Sequence, residues 1–212
     1  MPESHASTDF VNLFPTEDIS LILQNLQNCC GTLVRQTPFE LENDLTKRLF
    51  KLLCRCPEYR TGPIEPHWES HVVAFDEDKP EITGRVDIKF SCGRGIETYF
   101  PVEAKRLYVT YPKGAKASLV KDYINDGMMR YVTGQYASKM TEGVMLGYVC
   151  DSTITVAKKA LSAEVAKESV KLRLAKSGAW QTSSLAVTPP VDETRHDQDD
   201  CNFTMYHILT KV

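Results

Sequence analysis

The sequence predicts an α/β fold, a mixed central sheet flanked by helices, with one extra helix at the front. Three observations predict it. Residues 84–109, GRVDIKFSCGRGIETYFPVEAKRLYV, read as two strands joined by a glycine-bearing hairpin loop, with Val86, Ile88 and Phe90 alternating against Arg85, Asp87 and Lys89. Residues 143–150, GVMLGYVC, are nearly continuous in apolar side chains, the pattern of a strand buried on both faces. Before, between and after these strands, apolar residues recur at helical spacing.

Taken in order, residues 1–15 are polar and mixed and read as a loose leader. Thr16 followed by Glu17 and Asp18 starts a helix, and Ile19, Ile22, Leu23, Leu26, Cys30 and Leu33 form its apolar face, with Gly31 able to shorten it. Leader and helix, residues 1–37, are set apart from a domain over 38–212, on which the helix packs or through which it self-associates. A second helix opens near Pro38, with Leu41, Leu45, Leu49, Leu52 and Leu53 as its stripe. Glu42 falls within that stripe and Glu40 on the other side. A carboxylate on an inward face needs a partner, because burying it alone is costly.

Residues 57–66, rich in Pro and Gly, break this helix. A strand is expected from His67 to Phe75, ending in the acidic turn 76–80. His67, Glu69 and His71 share one of its faces, read as the solvent side rather than a metal cluster. After the 84–109 hairpin, Tyr111–Lys116 is a basic loop whose Lys113 and Lys116 are candidate phosphate contacts. A long helix over 118–139 follows, and a crossover helix leading into the apolar strand at 143–150 implies that this strand runs parallel to 99–107. A Lys-rich helix is expected over 153–176, a loop over 177–200 and a closing strand over 202–212.

In the second strand of the hairpin Glu103 and Lys105 point the same way, and Asp87 lies mid-strand on the polar side of the first. Two carboxylates suit a hard divalent cation such as Mg²⁺, which keeps waters and room for a phosphate. An adjacent ammonium orients the attacking water or stabilises the transition state. Phosphodiester hydrolysis fits this set.

An acid on one strand followed by Glu103-Ala104-Lys105 on the next resembles the PD-(D/E)XK superfamily, the restriction-endonuclease-like nucleases, although Val86 stands where a proline often precedes the first acid. The element order over residues 38–150 resembles the αβββαβ core of that fold. The resemblance implies a Mg²⁺-dependent nuclease, with Mn²⁺ as substitute, acting on DNA rather than RNA. It implies Asp87, Glu103, the Ala104 carbonyl and Glu42, or Glu40 in its place, around the metal, with Lys105 activating the water. Arg130 and Gln135 read first as cap or surface residues of the long helix, but such nucleases often have a Gln or basic residue of this helix facing the site, which makes these two the candidate substrate contacts. GMMRYVTGQYA followed by GVMLGYV is similar to nucleases of bacterial defence operons. That implies an anti-phage effector working as a homodimer or beside an ATPase or sensor subunit. The alternative is a catalytically inactive module that keeps the fold as a scaffold for nucleic acid or for complex assembly.

Composition agrees with a globular chain of 212 residues, 42% hydrophobic and 25% charged. Net charge is −3, yet residues 101–180 hold thirteen Lys/Arg against seven Asp/Glu, a local excess suited to a phosphate backbone. Seven cysteines with no C-x-x-C pair read as thiols of a reducing compartment. With no apolar run near the roughly 20 residues a membrane span requires, a cytoplasmic protein is expected.

Overall fold

The structure is a computed structural model that describes residues 14–76, 79–93, 98–136, 140–198 and 202–212. A mixed seven-stranded sheet runs through the centre in the order β1-β2-β3-β6-β9-β8-β7. Its strands are β1 (Glu65–Asp76), β2 (Lys79–Ser91), β3 (Tyr99–Leu107), β6 (Glu142–Val149), β7 (Gln181–Thr182), β8 (Asp192–Asp197) and β9 (Asn202–Lys211). A small separate hairpin pairs β4 (Val109–Thr110) with β5 (Lys116–Ala117). The middle of the sheet is parallel: Val102 to Leu107 of β3 lie along Val144 to Val149 of β6, which in turn lies along β9. The expected parallel neighbour to the Glu103 strand is therefore present, and the flanking pairs are antiparallel.

Helices cover both faces. On one side α1 (Thr16–Cys30) and α2 (Glu42–Leu53) pack with the short α3 (Pro57–Thr61) over Ile88, Phe90, Phe100, Val102, Val144 and Leu146. The apolar face of α1 is that expected from its spacing, with Ile19, Ile22, Leu23 and Leu26 fully buried, so this helix belongs to the main core. Phe14, expected in a loose leader, is buried with its ring 5.9 Å from that of Phe100. Residues 1–13 of the leader lie outside the described residues. Leu45, Leu49 and Leu53 anchor α2, each of a size whose burial is worth about 1.5–3 kcal/mol. Leu41, assigned to the same stripe, is instead exposed.

On the other face lie α4 (Val120–Tyr123), a π-turn (Ile124–Met128), α5 (Met129–Val132) and α6 (Ile154–Lys167), against Met145, Val149, Phe203 and Met205. The single long helix expected over 118–139 is thus shorter and interrupted. Its end follows from Gly134, whose φ of +73° is left-handed and terminates the helix. Residues 137–139 lie outside the described set. α6 likewise stops at Lys167, and Val156 and Val170, read as apolar-face residues, are exposed.

Two elements depart from the expectation more sharply. Residues 57–61 form α3, with Pro57 at its first position, where the missing amide hydrogen is no loss. The segment 177–200 carries strands β7 and β8 rather than a loop. The sequence of β8, DETRHD, contains no apolar residue, and its buried positions are filled by Glu193, Thr194 and His196. No helix among the described residues is long and apolar enough to cross a membrane.

Candidate functional site

The site forms where two strands part. β2 pairs with β3 only from Ile88↔Val102 to Ser91↔Tyr99, after which β2 stays with β1 while β3 continues along β6. Val86 joins the layer of α4 and α6 although Ile88 and Phe90 belong to the opposite one, so the shared face expected for 86, 88 and 90 breaks at Asp87. Beyond Val102 the amides of Ala104 and Arg106 take side-chain acceptors in place of a strand. The Ala104 amide donates to Asp87 Oδ2 at 2.8 Å, and the Arg106 amide donates to Glu42 Oε2 at 2.8 Å. Parting strands leave two amides that need acceptors, and the two acids are drawn in to supply them.

Between these carboxylates stands Lys105. Its Nζ lies 2.5 Å from Glu103 Oε1, 3.0 Å from the Ala104 carbonyl and 3.6 Å from Glu42 Oε1. Arg130 of α5 approaches Glu103 Oε1 from the other side at 2.8 Å and donates to the Tyr136 hydroxyl at 2.6 Å. Tyr136 in turn donates to the Arg85 carbonyl at 2.6 Å, closing the chain back onto β2. Helix α2 presents Glu42 in its first turn, where the helix dipole favours an anion, and is fixed by the Tyr148 hydroxyl donating to Thr46 Oγ1 at 3.1 Å.

Glu103 is the most constrained of the acids. Its side chain is 1% exposed, and its Oε2 is buried with no hydrogen-bond partner among the described residues. Burial, and then the neighbouring Asp87 charge, push its carboxyl up to about 7, against the pull of Lys105 and Arg130. Burial also raises Asp87 and Glu42 above the ordinary carboxylate range, although the Ala104 amide opposes this at Asp87 and Lys105 does so at Glu42. Burial works to lower the Lys105 ammonium, but Glu103 and Glu42 outweigh it and hold the group above its usual value. The site is a desolvated cluster with more negative charge than it can comfortably hold.

Of the residues singled out from the sequence, Asp87, Glu103, Lys105, Glu42, the Ala104 carbonyl and Arg130 come together here. Others are engaged elsewhere. Glu40, the substitute for Glu42, accepts from Arg48 at 2.7 Å and from the Gln36 amide at 2.6 Å, so it braces the loop ahead of α2. Gln135 donates to the Thr83 carbonyl at 3.2 Å and fastens the end of the helical segment to β2. Lys113 and Lys116 are exposed on the β4–β5 hairpin. His67 bonds Ser91 Oγ at 2.7 Å, and Glu69 pairs with Arg85 at 3.4 Å, so these side chains of β1 serve the sheet. The basic excess after β3 is partly spent on the surface, where Lys158 meets Asp192 at 2.8 Å and Lys167 meets Glu164 at 3.0 Å. Tyr136 and the Arg106 amide were not anticipated. Tyr136 sits two residues after the helix-ending Gly134, a position for which periodicity carries no signal.

Among the described residues no group of three or more His, Cys, Asp or Glu side chains is gathered tightly enough to hold a metal ion by itself. The acids present are Asp87 and Glu103, with Glu42 across Lys105 from them. Compared with family models, curated proteins and solved structures, the chain has no match.

Proposed function

We propose that the chain is a metal-dependent nuclease with a restriction-endonuclease-like core, built from α2, β1–β3, the α4–α5 segment and β6, that hydrolyses phosphodiester bonds in DNA. The observation that carries this reading is the meeting of Asp87, Glu103 and Lys105 at the point where β2 leaves β3. A divalent cation suits the residues present. The partnerless Glu103 Oε2 and the raised carboxyls mark a place where positive charge is wanted. Asp87 and Glu103 would hold Mg²⁺ or Mn²⁺, with the Ala104 carbonyl and Glu42 at its margin. Bound there, the ion would supply charge neutralisation at phosphorus and a more acidic water.

The protein's own groups account for the remaining work. Lys105, held between two carboxylates, stays an ammonium and orients the attacking water while stabilising charge on the phosphate oxygens. Arg130, more exposed than Lys105, is placed to turn from Glu103 to a substrate phosphate. Tyr136 sets the guanidinium's position. Effector duty in an anti-phage complex, with a second copy or an ATPase or sensor as partner, is the biological setting proposed for this chemistry.

A second reading is favoured by one observation. Glu103 Oε1 already holds both Lys105 and Arg130, and Glu42 is committed to Arg106, so the charges are largely satisfied from within. A module of this kind would bind nucleic acid or partners without cutting. Incubation of the purified chain with plasmid and single-stranded substrates and Mg²⁺, beside Asp87→Asn and Lys105→Met, separates the readings. Cleavage by wild type that falls at least about 10²–10³-fold in both variants supports the nuclease. Equal behaviour of all three proteins refutes it, and calorimetric Mg²⁺ binding that Glu103→Gln abolishes would then distinguish an intact metal site from a scaffold.

A further inference from the structure

Away from the site, two thiols meet at the junction of the helices that cover the α1 face. Cys29, near the end of α1, and Cys56, in the turn between α2 and α3, have their Sγ atoms 3.7 Å apart. Both backbones are fixed. The Cys29 carbonyl accepts from Thr32 Oγ1 at 2.8 Å, the Cys56 amide donates to the Leu53 carbonyl at 2.9 Å, and the Cys56 carbonyl accepts from the Tyr59 amide at 3.1 Å. Among the described residues no other two thiols come within hydrogen-bond reach. A disulfide needs about 2.05 Å, so the sulfurs must close by roughly 1.7 Å.

We propose that Cys29 and Cys56 are an oxidisable thiol pair at which a hydroperoxide closes a reversible disulfide, clipping α1 to the α2–α3 turn. The two thiols differ in access. Cys56 is partly open to solvent, whereas Cys29 is 9% exposed. Burial, with Cys56 beside it, pushes the Cys29 thiol up to about 12, so an external oxidant meets Cys56 first. The Cys56 thiolate attacks the peroxide, an S–O bond forms, the O–O bond breaks and one oxygen leaves as alcohol or water. Cys29 sulfur then attacks the resulting sulfenic acid. The S–S bond forms as the S–O bond breaks, and water leaves with the Cys29 proton. Two electrons pass from the thiols to the peroxide. Cys54, exposed two residues before Cys56, is the competing thiol, and Cys30 is buried in the core.

The test uses the full chain, reduced and then exposed to hydrogen peroxide at low protein concentration, followed by tryptic mapping without reductant. Cleavage at Arg35, Lys51, Arg55 and Arg60 places Cys54 and Cys56 on different peptides, and Cys30→Ser, which leaves Cys29 as the one thiol of the peptide ending at Arg35, separates Cys29 from its neighbour. The expected product joins the peptide ending at Arg35, through Cys29, to the peptide 56–60. It should persist in Cys54→Ser and disappear in Cys56→Ser. The closed loop spans 27 positions, and its closure should raise Tm by roughly 5–10 °C, reversibly with dithiothreitol. A cross-link through Cys54 or Cys30, linkage only between chains, or a pair that stays reduced while Cys56 is over-oxidised would overturn the proposal. The Cys54→Ser protein retains both proposed thiols, so it decides the matter even if Cys56→Ser folds poorly.

Discussion

Glu103 shows how one side chain can be held in place and kept uncomfortable together. Two cations grip one of its oxygens while the other is buried without a partner. Leaving a buried acceptor unpaired costs about 1–3 kcal/mol, so the fold bears this strain in the absence of a ligand. Its carboxyl is raised from an ordinary 4.5 to about 7, so the folded chain holds a proton there that the unfolded chain has released. The stabilising contribution of that protonated form is fully present below about pH 4.5 and is lost as pH rises through 7. Urea unfolding of metal-free wild type and Glu103→Gln isolates the effect. Relative to the variant, wild type should lose up to about 1.4 kcal/mol per pH unit between those limits and level off above them. A difference that does not vary with pH would mean that Glu103 is already ionised. The residue types of this site were readable from the chain, because Asp87, Glu103 and Lys105 stand out against apolar strands. Their mutual bonding was not, since alternation gives the face of a side chain and nothing of which amide it will serve.

At the scale of elements, β8 and β9 meet through a buried polar chain in place of apolar contacts. The Tyr123 hydroxyl lies 2.9 Å from His207 Nδ1, His207 Nε2 lies 2.9 Å from Thr194 Oγ1, Thr194 Oγ1 lies 2.8 Å from His196 Nε2, and His196 Nδ1 lies 2.7 Å from the Leu172 carbonyl. One assignment of protons satisfies all four contacts with both imidazoles neutral: Tyr123 donates to His207, His207 to Thr194, Thr194 to His196, and His196 to the carbonyl. Trp180 stacks on His207 at 4.1 Å and seals the end. Burial depresses both histidines, strongly for His207, where His196 adds to it. Their contribution is present above the ordinary value of 6.5 and is lost as pH falls below it, because the unfolded imidazoles take protons that the folded ones refuse. Thr194→Val removes the central link and should cost about 2–4 kcal/mol in urea unfolding at pH 7.5. A cost under about 0.5 kcal/mol would show that the chain is not cooperative. This network is also why β8 was illegible: hydrophobic patterning finds strands by their apolar face, and here that face is histidine and threonine. The parallel strand β6, which carries no charged residue after Glu142, was legible for the opposite reason.

Over the whole molecule, α1 is the element that makes one core of the α1 face. Ile19, Ile22, Leu23 and Leu26 pack with α2 and with the sheet residues beneath the site, so a loss there should be felt globally. Leu23→Ala should lower stability by about 2–5 kcal/mol in a single cooperative transition. A first transition confined to α1, with the remainder unaffected, would instead mark the helix as an appendage. The order of the sheet carries a consequence for how the protein comes into being. β9 lies between β6 and β8, flanked on both sides by strands that precede it in the chain. During synthesis the ribosome therefore delivers β7 and β8 before the strand that joins them to the rest. Until residues 202–211 emerge, the edge of β6 stays open and the histidine of β8 lacks its counterpart. While residues 150–201 are being added the nascent chain must keep an unpaired apolar edge from other partners, an interval in which cover by a chaperone would suit it.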